Sequence, residues 1–371
     1  GNYGFKRGDV VSAVAKASHD VEFKYRNFGL FSRFSYFYDQ LASQSDDLGD
    51  RLDSVGRPIR SRARGDYELG SRGSDRLGSE VQLLDLFAYG KFEVLDRTLT
   101  ARVGKQVINW GESTFIGNSI NVINPIDVAR IRAPGAELKE ALLPTPILSL
   151  AYSLTSDLSM EAIWIAGYDR TRIDPRGSFF STTDVISDDG NKAVVGFGRR
   201  NDDNRVSDPG TTPGSTTAFL ARDPSREPGS TRDQWGVSSR LFSEALGNTE
   251  FGLYYLKYHS RTPFISAIRG GATSAYGGSG TGNTAAPTCS QSATTGCRGA
   301  FFAEFPENIE LYGISFNTTA FGELAVQGEY SYRPNQPVQL ASTEVLLTAL
   351  GVPSTISPTP IPATTTGGSA T

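Results

Sequence analysis

Residues 148–168 read LSLAYSLTSDLSMEAIWIAGY, a stretch in which apolar and polar residues alternate. One phase is apolar on both sides of the triplet 155–157, and it comprises Leu148, Leu150, Tyr152, Leu154, Leu158, Met160, Ala162, Trp164 and Tyr168. Alternation with a period of two is typical of a β-strand that has one apolar face, and the polar triplet predicts a turn. We therefore interpret the stretch as a β-hairpin.

The same hairpin unit recurs four more times along the chain. Residues 11–25 keep one apolar phase, the triplet Asn27-Phe28-Gly29 predicts a turn, and an aromatic strand is expected over 30–38. Further pairs are predicted for 83–94 with 99–109, for 235–243 with 250–259, and on both sides of 318–321. The pattern predicts about ten strands of roughly nine or more residues, long enough to cross a bilayer when tilted.

The composition favours an all-β membrane protein and argues against several other classes. Of the 371 residues, 38% are hydrophobic and 20% are charged, and no run approaches the roughly 18 apolar residues of a transmembrane helix. The 15 Tyr and 21 Phe lie mostly in short alternating runs, which suits lipid-facing bands and interfacial girdles. A net charge of −4 without any block of Lys and Arg argues against a nucleic-acid partner.

Long polar segments separate the hairpins, at 41–80, 110–145, 170–233 and 261–308. Short turns on one side and long loops on the other are typical of outer-membrane barrels. Residues 1–371 are therefore predicted to form a single all-β, transmembrane, antiparallel up-and-down β-barrel with short periplasmic turns and long extracellular loops. A soluble β-sandwich stays open as the alternative, because alternation alone does not distinguish the two.

The ends of the chain bear on how such a barrel would close. Lipid offers no water to an open strand edge, so the sheet must close on itself or be completed by other strands. Residues 364–371 read TTTGGSAT, which suits a loop, and no signal peptide is visible at Gly1. We expect closing strands to be missing at the C-terminus and also at the N-terminus, with an even total in the complete barrel.

The segment 110–145 differs from the other long segments, which are rich in Gly, Ser and Asp. Its isoleucines, prolines and paired charges predict an ordered loop that folds into the lumen as a constriction or plug. The candidates for that role are Trp110, Glu112, Asn118, Asn121, Asn124, Asp127, Arg130, Arg132, Glu137, Lys139 and Glu140. The alternative is a packed cap whose charges only satisfy one another and brace the barrel wall. Polar strand residues such as Arg102, Glu161 and Glu329 are expected to line a wet interior.

Cysteine and histidine usage bears on redox state, metals and catalysis. Cys289 and Cys297 lie close together in a Gly/Ser/Thr/Ala tract, where a disulfide would suit an oxidising compartment and two free thiols are the alternative. The two histidines, His19 and His259, lie far apart and give no metal-ligand spacing, so no metal or cofactor is predicted. No G-x-S-x-G element accompanies them, and we expect no enzymatic activity. Residues 341–350, ASTEVLLTAL, predict a short helix.

Residues 102–149 read RVGKQVINWGESTFIGNSINVINPIDVARIRAPGAELKEALLPTPILS, and this stretch resembles the family of Gram-negative outer-membrane proteins known as domain of unknown function thirteen-oh-two. Further matching segments are 6–9, 25–29, 173–182 and 249–261, so the resemblance covers most of residues 5–265. It implies a longer protein with a signal peptide. It also implies periplasmic partners, because genes of that family often neighbour a lipoprotein-localisation-like protein and an exporter of the resistance-nodulation-division class.

The leading expectation is an outer-membrane conduit, in contact with membrane lipid, for hydrophobic or lipid-like molecules that works with those periplasmic partners. The transport part follows from the resemblance by analogy. The alternative, from a different class, is a structural or assembly barrel whose plugged lumen passes nothing.

Overall fold

The computed structural model describes residues 10, 12–43, 71–113, 119–133, 135–176, 178–181, 185–188, 190, 192–195, 218–226, 231–268, 299–320, 324–349, 355–356 and 369–370. Its strands are β1 (Val14–Tyr25), β2 (Phe28–Asp39), β3 (Ser79–Val94), β4 (Arg97–Gln106), β5 (Thr145–Ser153), β6 (Leu158–Ile165), β7 (Lys192–Val195), β8 (Ala218–Arg222), β9 (Trp235–Ser243), β10 (Thr249–Tyr258), β11 (Phe264–Ile268), β12 (Ala300–Glu304), β13 (Ile309–Ala320), β14 (Leu324–Tyr332) and β15 (Ser369–Ala370). The helices are α1 (Gln40–Ser43), α2 (Ser71–Gly78), α3 (Val128–Arg132), α4 (Leu138–Ala141) and α5 (Ser342–Ala349).

Ten of the strands form one antiparallel sheet in the order β1-β2-β3-β4-β5-β6-β9-β10-β13-β14. All five predicted hairpins are confirmed as neighbouring pairs of this sheet. The last turn lies later than predicted, since residues 318–320 still belong to β13. The hairpin turns lie at one end, which we call the short-turn end, and the long segments leave from the other, the long-loop end. Sequential strands pair because a hairpin costs little closure entropy.

The first turn lies one residue earlier than predicted, at Arg26-Asn27. Tyr25 pairs with Phe28, and Arg26 takes up the left-handed conformation with φ 52°. Gly29 belongs to β2 instead, where a Cβ atom would lie 2.2 Å from Cζ of Tyr89. The glycine therefore leaves room for the Tyr89 ring across the strand and is not part of the turn.

The two faces of the ten-stranded sheet differ in the way that the alternation predicts. One face, the inner face, carries the buried side chains, and the other, the outer face, carries large apolar side chains that are exposed. The exposed residues on the outer face include Val21, Phe23 and Tyr25 of β1, Phe28, Leu30, Tyr36 and Tyr38 of β2, Val81, Leu83 and Leu86 of β3, Val103 of β4, Leu150 of β5, Met160 and Trp164 of β6, Trp235, Val237 and Leu241 of β9, Leu253 of β10, Tyr312, Ile314 and Phe316 of β13, and Leu324, Tyr330 and Tyr332 of β14. Every strand of the sheet contributes to this outer apolar band.

The sheet is curved toward its inner face. Glu329 of β14 lies six strands from β4, which in a flat sheet is roughly 29 Å at the usual strand spacing. Its carboxylate nevertheless accepts a hydrogen bond from the amide of Glu112, which lies six residues after Gln106 at the end of β4. Six residues span at most about 21 Å, and Glu329 also lies inside its strand rather than at its end, so only a curved sheet permits this contact.

Within the part of the chain that the structure describes, β1 and β14 each pair with a strand on one side only. The predicted antiparallel all-β sheet is thus confirmed, while its closure into a barrel stays a prediction. No helix among the described residues is long and apolar enough to span a lipid bilayer.

A second, five-stranded sheet has the order β15-β11-β12-β8-β7. Four of its strands lie in the long segments, and β15 lies within residues 364–371, so the prediction of a loop there is wrong for residues 369–370. The expectation that 170–233 and 261–308 contain only loops is therefore wrong. These strands are only two to five residues long, too short for a period of two to show. The predicted helix at 341–350 is confirmed as α5, and its Val345, Leu346 and Ala349 pack on the core of this sheet.

Candidate functional site

The connection between β4 and β5 packs on the inner face of the large sheet; we call its described residues, 107–113, 119–133 and 135–144, the inner segment. Trp110 is 1% exposed, and its Nε1 donates to the Glu161 carboxylate of β6 at 2.9 Å. Its ring stacks against Tyr254 of β10 with centroids 5.9 Å apart. A Cβ atom at Gly236 of β9 would lie 2.9 Å from the indole of Trp110, so β9 has a glycine at the position where this ring packs on it.

Glu329 on β14 holds the start of the inner segment through its carboxylate. One oxygen accepts the amides of Glu112 at 2.8 Å and Ser113 at 3.1 Å, and the other accepts the amide of Ile120 at 3.1 Å. Gly111 has φ +80°, a left-handed conformation that turns the chain beneath this carboxylate. Charge-assisted bonds of this kind are about twice as strong as neutral ones, so Glu329 is an anchor of the inner segment.

Two further contacts join this part of the inner segment to β13 and to the end of β14. The Glu112 carboxylate accepts hydrogen bonds from Ser315 Oγ at 3.3 Å and Asn317 Nδ2 at 3.4 Å. Arg333 donates to the Ser119 carbonyl through Nη2 and to the Tyr258 hydroxyl through Nε. The inner segment is therefore attached to the last strands of the sheet at several points.

Two of the predicted asparagines have different environments. Asn124 is buried: its Oδ1 accepts the Ile108 amide at 2.9 Å, and its Nδ2 donates to the carbonyls of Gln106 at 3.3 Å and Leu143 at 3.0 Å. These bonds tie the two ends of the inner segment together. Asn121 is less buried and donates to Asn109 Oδ1 at 3.4 Å. Asn124 is therefore a structural residue, since its oxygen and both of its N–H groups bond to the inner segment and to the end of β4.

Asp127 caps helix α3 and is the centre of a buried ion-pair network. Its carboxylate accepts the Arg130 amide at 3.3 Å and lies 3.3 Å from Arg76 Nη2 and 3.9 Å from Arg172 Nη1. Arg76 also pairs with Asp188. The network joins the inner segment to α2 and to the segment after β6, and it satisfies a carboxylate that is only 2% exposed.

Arg130, Arg132 and Glu140 line a cavity of about 190 Å³ at the long-loop end. Each has a partner of opposite charge: Glu80 of β3 for Arg130, Asp174 for Arg132, and Lys16 of β1 at 2.6 Å for Glu140. The apolar part of the lining consists of Val14, Phe37, Ala42, Leu77, Ala129, Ala133, Phe179 and Phe180. We call it the amphipathic cavity, because paired charges and an apolar wall meet there.

Aromatic rings lie beneath both arginines of the amphipathic cavity. Arg130 Cζ lies 4.1 Å from the centroid of the Phe37 ring, and Arg132 Cζ lies 5.5 Å from that of Phe180. Burial raises the pKa of Asp174 above the usual value for a carboxyl group, while the neighbouring Arg132 opposes that shift. The charges of the cavity are thus held in a partly desolvated setting, where their interactions are stronger than in water.

Arg261, which follows β10, fixes the middle of the inner segment. Its Nε donates to the Ile123 carbonyl at 3.2 Å, and its guanidinium lies 5.0 Å from the centroid of the Tyr168 ring. Burial lowers the pKa of Arg261 to about 10, so the group stays charged at neutral pH, and burial raises the pKa of Tyr168. His259 beside them accepts the Asn308 amide at Nδ1, which places its proton on Nε2, the donor to the Arg232 carbonyl.

The predicted candidates thus divide into residues that hold the inner segment and residues that line the amphipathic cavity. Glu137 is exposed at the edge of the segment. Asn118, the side chain of Lys139, and the predicted disulfide partners Cys289 and Cys297 lie outside the described residues. In the part that is described, no group of three or more His, Cys, Asp or Glu residues could hold a metal ion.

Sequence reasoning missed the partners that other segments supply to this site. They are Lys16, Arg76, Glu80, Arg172, Asp174, Asp188, Arg261, Phe179, Phe180 and Arg333. Charged residues are ordinary in polar loops and on the polar faces of strands, and no local signal distinguishes these residues or the two phenylalanines. Glu161 and Glu329 were expected on the wet face of their strands, but their role as acceptors for the inner segment had no local signal either.

The family model described as "Protein of unknown function (DUF1302)" matches residues 1–367. Neither a curated protein nor a solved structure matches the chain.

Proposed function

The chain belongs to the DUF1302 family, and from this premise we propose that it is an outer-membrane β-barrel that conducts hydrophobic or lipid-like molecules. The outer apolar band is the observation that carries the proposal. Soluble monomers rarely expose contiguous apolar patches larger than a few hundred Å², whereas here exposed Phe, Tyr, Trp, Leu, Ile and Val side chains occur on all ten strands. Acyl chains are the solvent in which such a face is stable.

The proposed barrel also accounts for β1 and β14, which have a neighbouring strand on one side only among the described residues. A strand edge in lipid would leave amide and carbonyl groups without partners, at several kcal/mol for each group. In the proposed barrel, β1 and β14 are therefore joined, either to each other or through further strands. The inner segment favours such a shape, since Lys16 of β1 and Glu329 of β14 both bind it.

For transport, the relevant features are the inner segment and the amphipathic cavity. The inner segment enters from the long-loop end and reaches Asn317 on the inner face of β13. It would have to move, or leave a path beside it, for a solute to pass. The cavity has an apolar wall with charges at its margin, and its volume is below the roughly 300 to 1,000 Å³ of typical ligand pockets. It would therefore take one part of an amphipathic molecule at a time.

The second candidate function is a structural or assembly barrel with a closed lumen. The favouring observation is how completely the inner segment is bonded, through Asn124, Asp127 and the Glu329 carboxylate. A segment with so many partners suits a permanent plug as well as a gate.

Reconstitution into liposomes separates the two functions. Influx of a fluorescent fatty-acid analogue would be measured for the wild type, for Glu329→Ala, which frees the start of the inner segment, and for Gln327→Ala as the matched control on the same face of β14. A conduit predicts influx above that of empty liposomes, increased by Glu329→Ala and unchanged by Gln327→Ala. Absence of influx in all three proteins would refute the conduit and leave the structural barrel.

Location and partners need their own measurements. Fractionation of cell envelopes is expected to recover the protein with the outer membrane. Crosslinking from residues of the short-turn end, such as Asp96, is expected to capture the periplasmic lipoprotein-localisation-like protein or the exporter of the resistance-nodulation-division class. Recovery in the inner membrane or in the soluble fraction would refute the proposal that the protein is an outer-membrane β-barrel.

A further inference from the structure

The inner face of β1–β4, together with the turn Arg26-Asn27 and the adjoining Phe28, forms a recess at the short-turn end, opposite the amphipathic cavity. Its volume is about 540 Å³, within the range of sites for small organic ligands. It is lined by Glu22, Lys24, Arg26, Asn27, Phe28, Phe31, Phe87, Tyr89, Lys91, Thr100 and Arg102. We call it the basic recess, because four cations and one carboxylate lie in its lining.

Aromatic rings form a continuous floor in the basic recess. The ring centroids of Phe31 and Phe87 lie 5.2 Å apart, and those of Phe87 and Tyr89 lie 6.3 Å apart. Tyr89 crosses the strand at Gly29, and its hydroxyl donates to the Glu22 carboxylate at 2.6 Å. An apolar or aromatic molecule can stack on this floor.

Two cations stand beside the floor without an acidic partner. Lys24 pairs with Glu22 at 3.1 Å, but among the described residues neither Lys91 nor Arg102 has a carboxylate within ion-pair distance. Arg102 lies over the Phe87 ring at 5.9 Å. Arg102 faces Tyr89 and Thr100 faces Lys91 across the β3–β4 ladder, which makes Lys91 and Arg102 diagonal neighbours, roughly 7 Å apart. One anionic group can lie between them.

The amphipathic cavity provides the contrast. There Lys16, Arg130 and Arg132 each have a carboxylate partner, so an added anion would have to displace it. In the basic recess the positive charge is available, and the low-dielectric wall of a barrel would concentrate its field.

We propose that the basic recess binds an amphipathic organic anion, with the apolar body on the Phe31, Phe87 and Tyr89 floor and the carboxylate, sulfonate or phosphate between Lys91 and Arg102. This ligand class rests on the proposed conduit, because the recess then lies in the lumen at the periplasmic end. The unpaired cations select the anionic end of a lipid-like solute, and the floor holds its apolar part.

The test uses the full chain in micelles of a zwitterionic detergent and measures binding by calorimetry. The probes are naphthalene-2-sulfonate, its uncharged counterpart naphthalene-2-sulfonamide, and inorganic sulfate. We expect the sulfonate to bind at least about tenfold more tightly than either of the others, since only it offers both the charge and the ring. Added salt is expected to weaken its binding.

The double variant Lys91→Gln/Arg102→Gln is expected to weaken sulfonate binding by about tenfold or more. Arg240→Gln is the matched control: Arg240 lies on the inner face of β9 but pairs with Glu250, and its loss should leave the affinity unchanged. Equal affinity of the wild type for sulfonate and sulfonamide would overturn the inference, as would an unchanged affinity in the double variant. The first comparison needs no variant, so it stands even if a substitution impairs folding.

Flux measurements keep this inference separate from the proposed function. Selective sulfonate binding without any solute influx supports the basic recess and refutes the conduit. Influx of the fatty-acid analogue without selective binding supports the conduit and refutes the recess as its anion site.

Discussion

Replacing Glu329 by alanine removes the acceptor of three backbone amides, those of Glu112, Ser113 and Ile120. A hydrogen bond to a charged group contributes about 1.5 to 3 kcal/mol when buried, and Glu329 is half-buried, so water replaces part of each bond. Taking about 1 kcal/mol for each bond, the variant should destabilise the local fold of these residues by about 3 kcal/mol.

Amide hydrogen exchange measures this effect where it arises. About 3 kcal/mol corresponds to roughly a hundredfold loss of protection. It should appear at the amides of Ser113 and Ile120, while amides in the centre of β10 and β13 keep their protection. Glu329→Gln should lie between wild type and alanine, because one amide oxygen remains to accept from Glu112 and Ser113.

Gln327→Ala, two residues away on the same face of β14, is the control for a general loosening of the strand. Unchanged protection at Ser113 and Ile120 in Glu329→Ala would refute the anchoring role of the carboxylate. So would an equal loss in Gln327→Ala, since Gln327 has no bond to the inner segment among the described residues.

Three further predictions concern stability. Trp110→Phe loses the hydrogen bond to Glu161 and leaves unfilled volume, so it should lower the free energy of unfolding, measured with denaturant, by about 2 kcal/mol. Trp235→Phe on the outer face should change the free energy of unfolding by less than about 0.5 kcal/mol. Asn124→Ala leaves the Ile108 amide and the Leu143 carbonyl without a partner and should lower the thermal transition; an unchanged transition would contradict the role given to Asn124. The pKa of Asp174 is raised in the folded protein, so its contribution to stability is present below pH 3.8 and is lost as the pH rises through the folded-state pKa. Asp174→Asn should therefore flatten the pH dependence of the unfolding free energy in that pH range. A steeper dependence would refute the raised pKa of Asp174.

Local pattern was sufficient for the strands and for the assignment of side chains to the two faces. The alternation of Leu148, Leu150 and Tyr152 predicted their outward direction, because a pleated strand sends successive side chains to opposite sides whatever surrounds it. Composition, which is also a local property of the chain, identified the inner segment as unusual. The alternation did not reveal the five short strands of the second sheet, because they hold too few residues for a period of two to appear.

The partner of each polar group, by contrast, was decided by the tertiary structure. The amide of Glu112 and the carboxylate of Glu329 lie 217 residues apart in the chain, and Lys16 and Glu140 lie 124 apart. Whether such groups meet depends on the curvature of the sheet, which is a property of all ten strands together. The place of Gly29 was decided in the same way, since it lies in β2 against the ring of Tyr89 from another strand and not in the first turn. The alternation of a strand depends only on neighbouring residues of the chain, whereas the contacts of the inner segment depend on where distant strands lie in space.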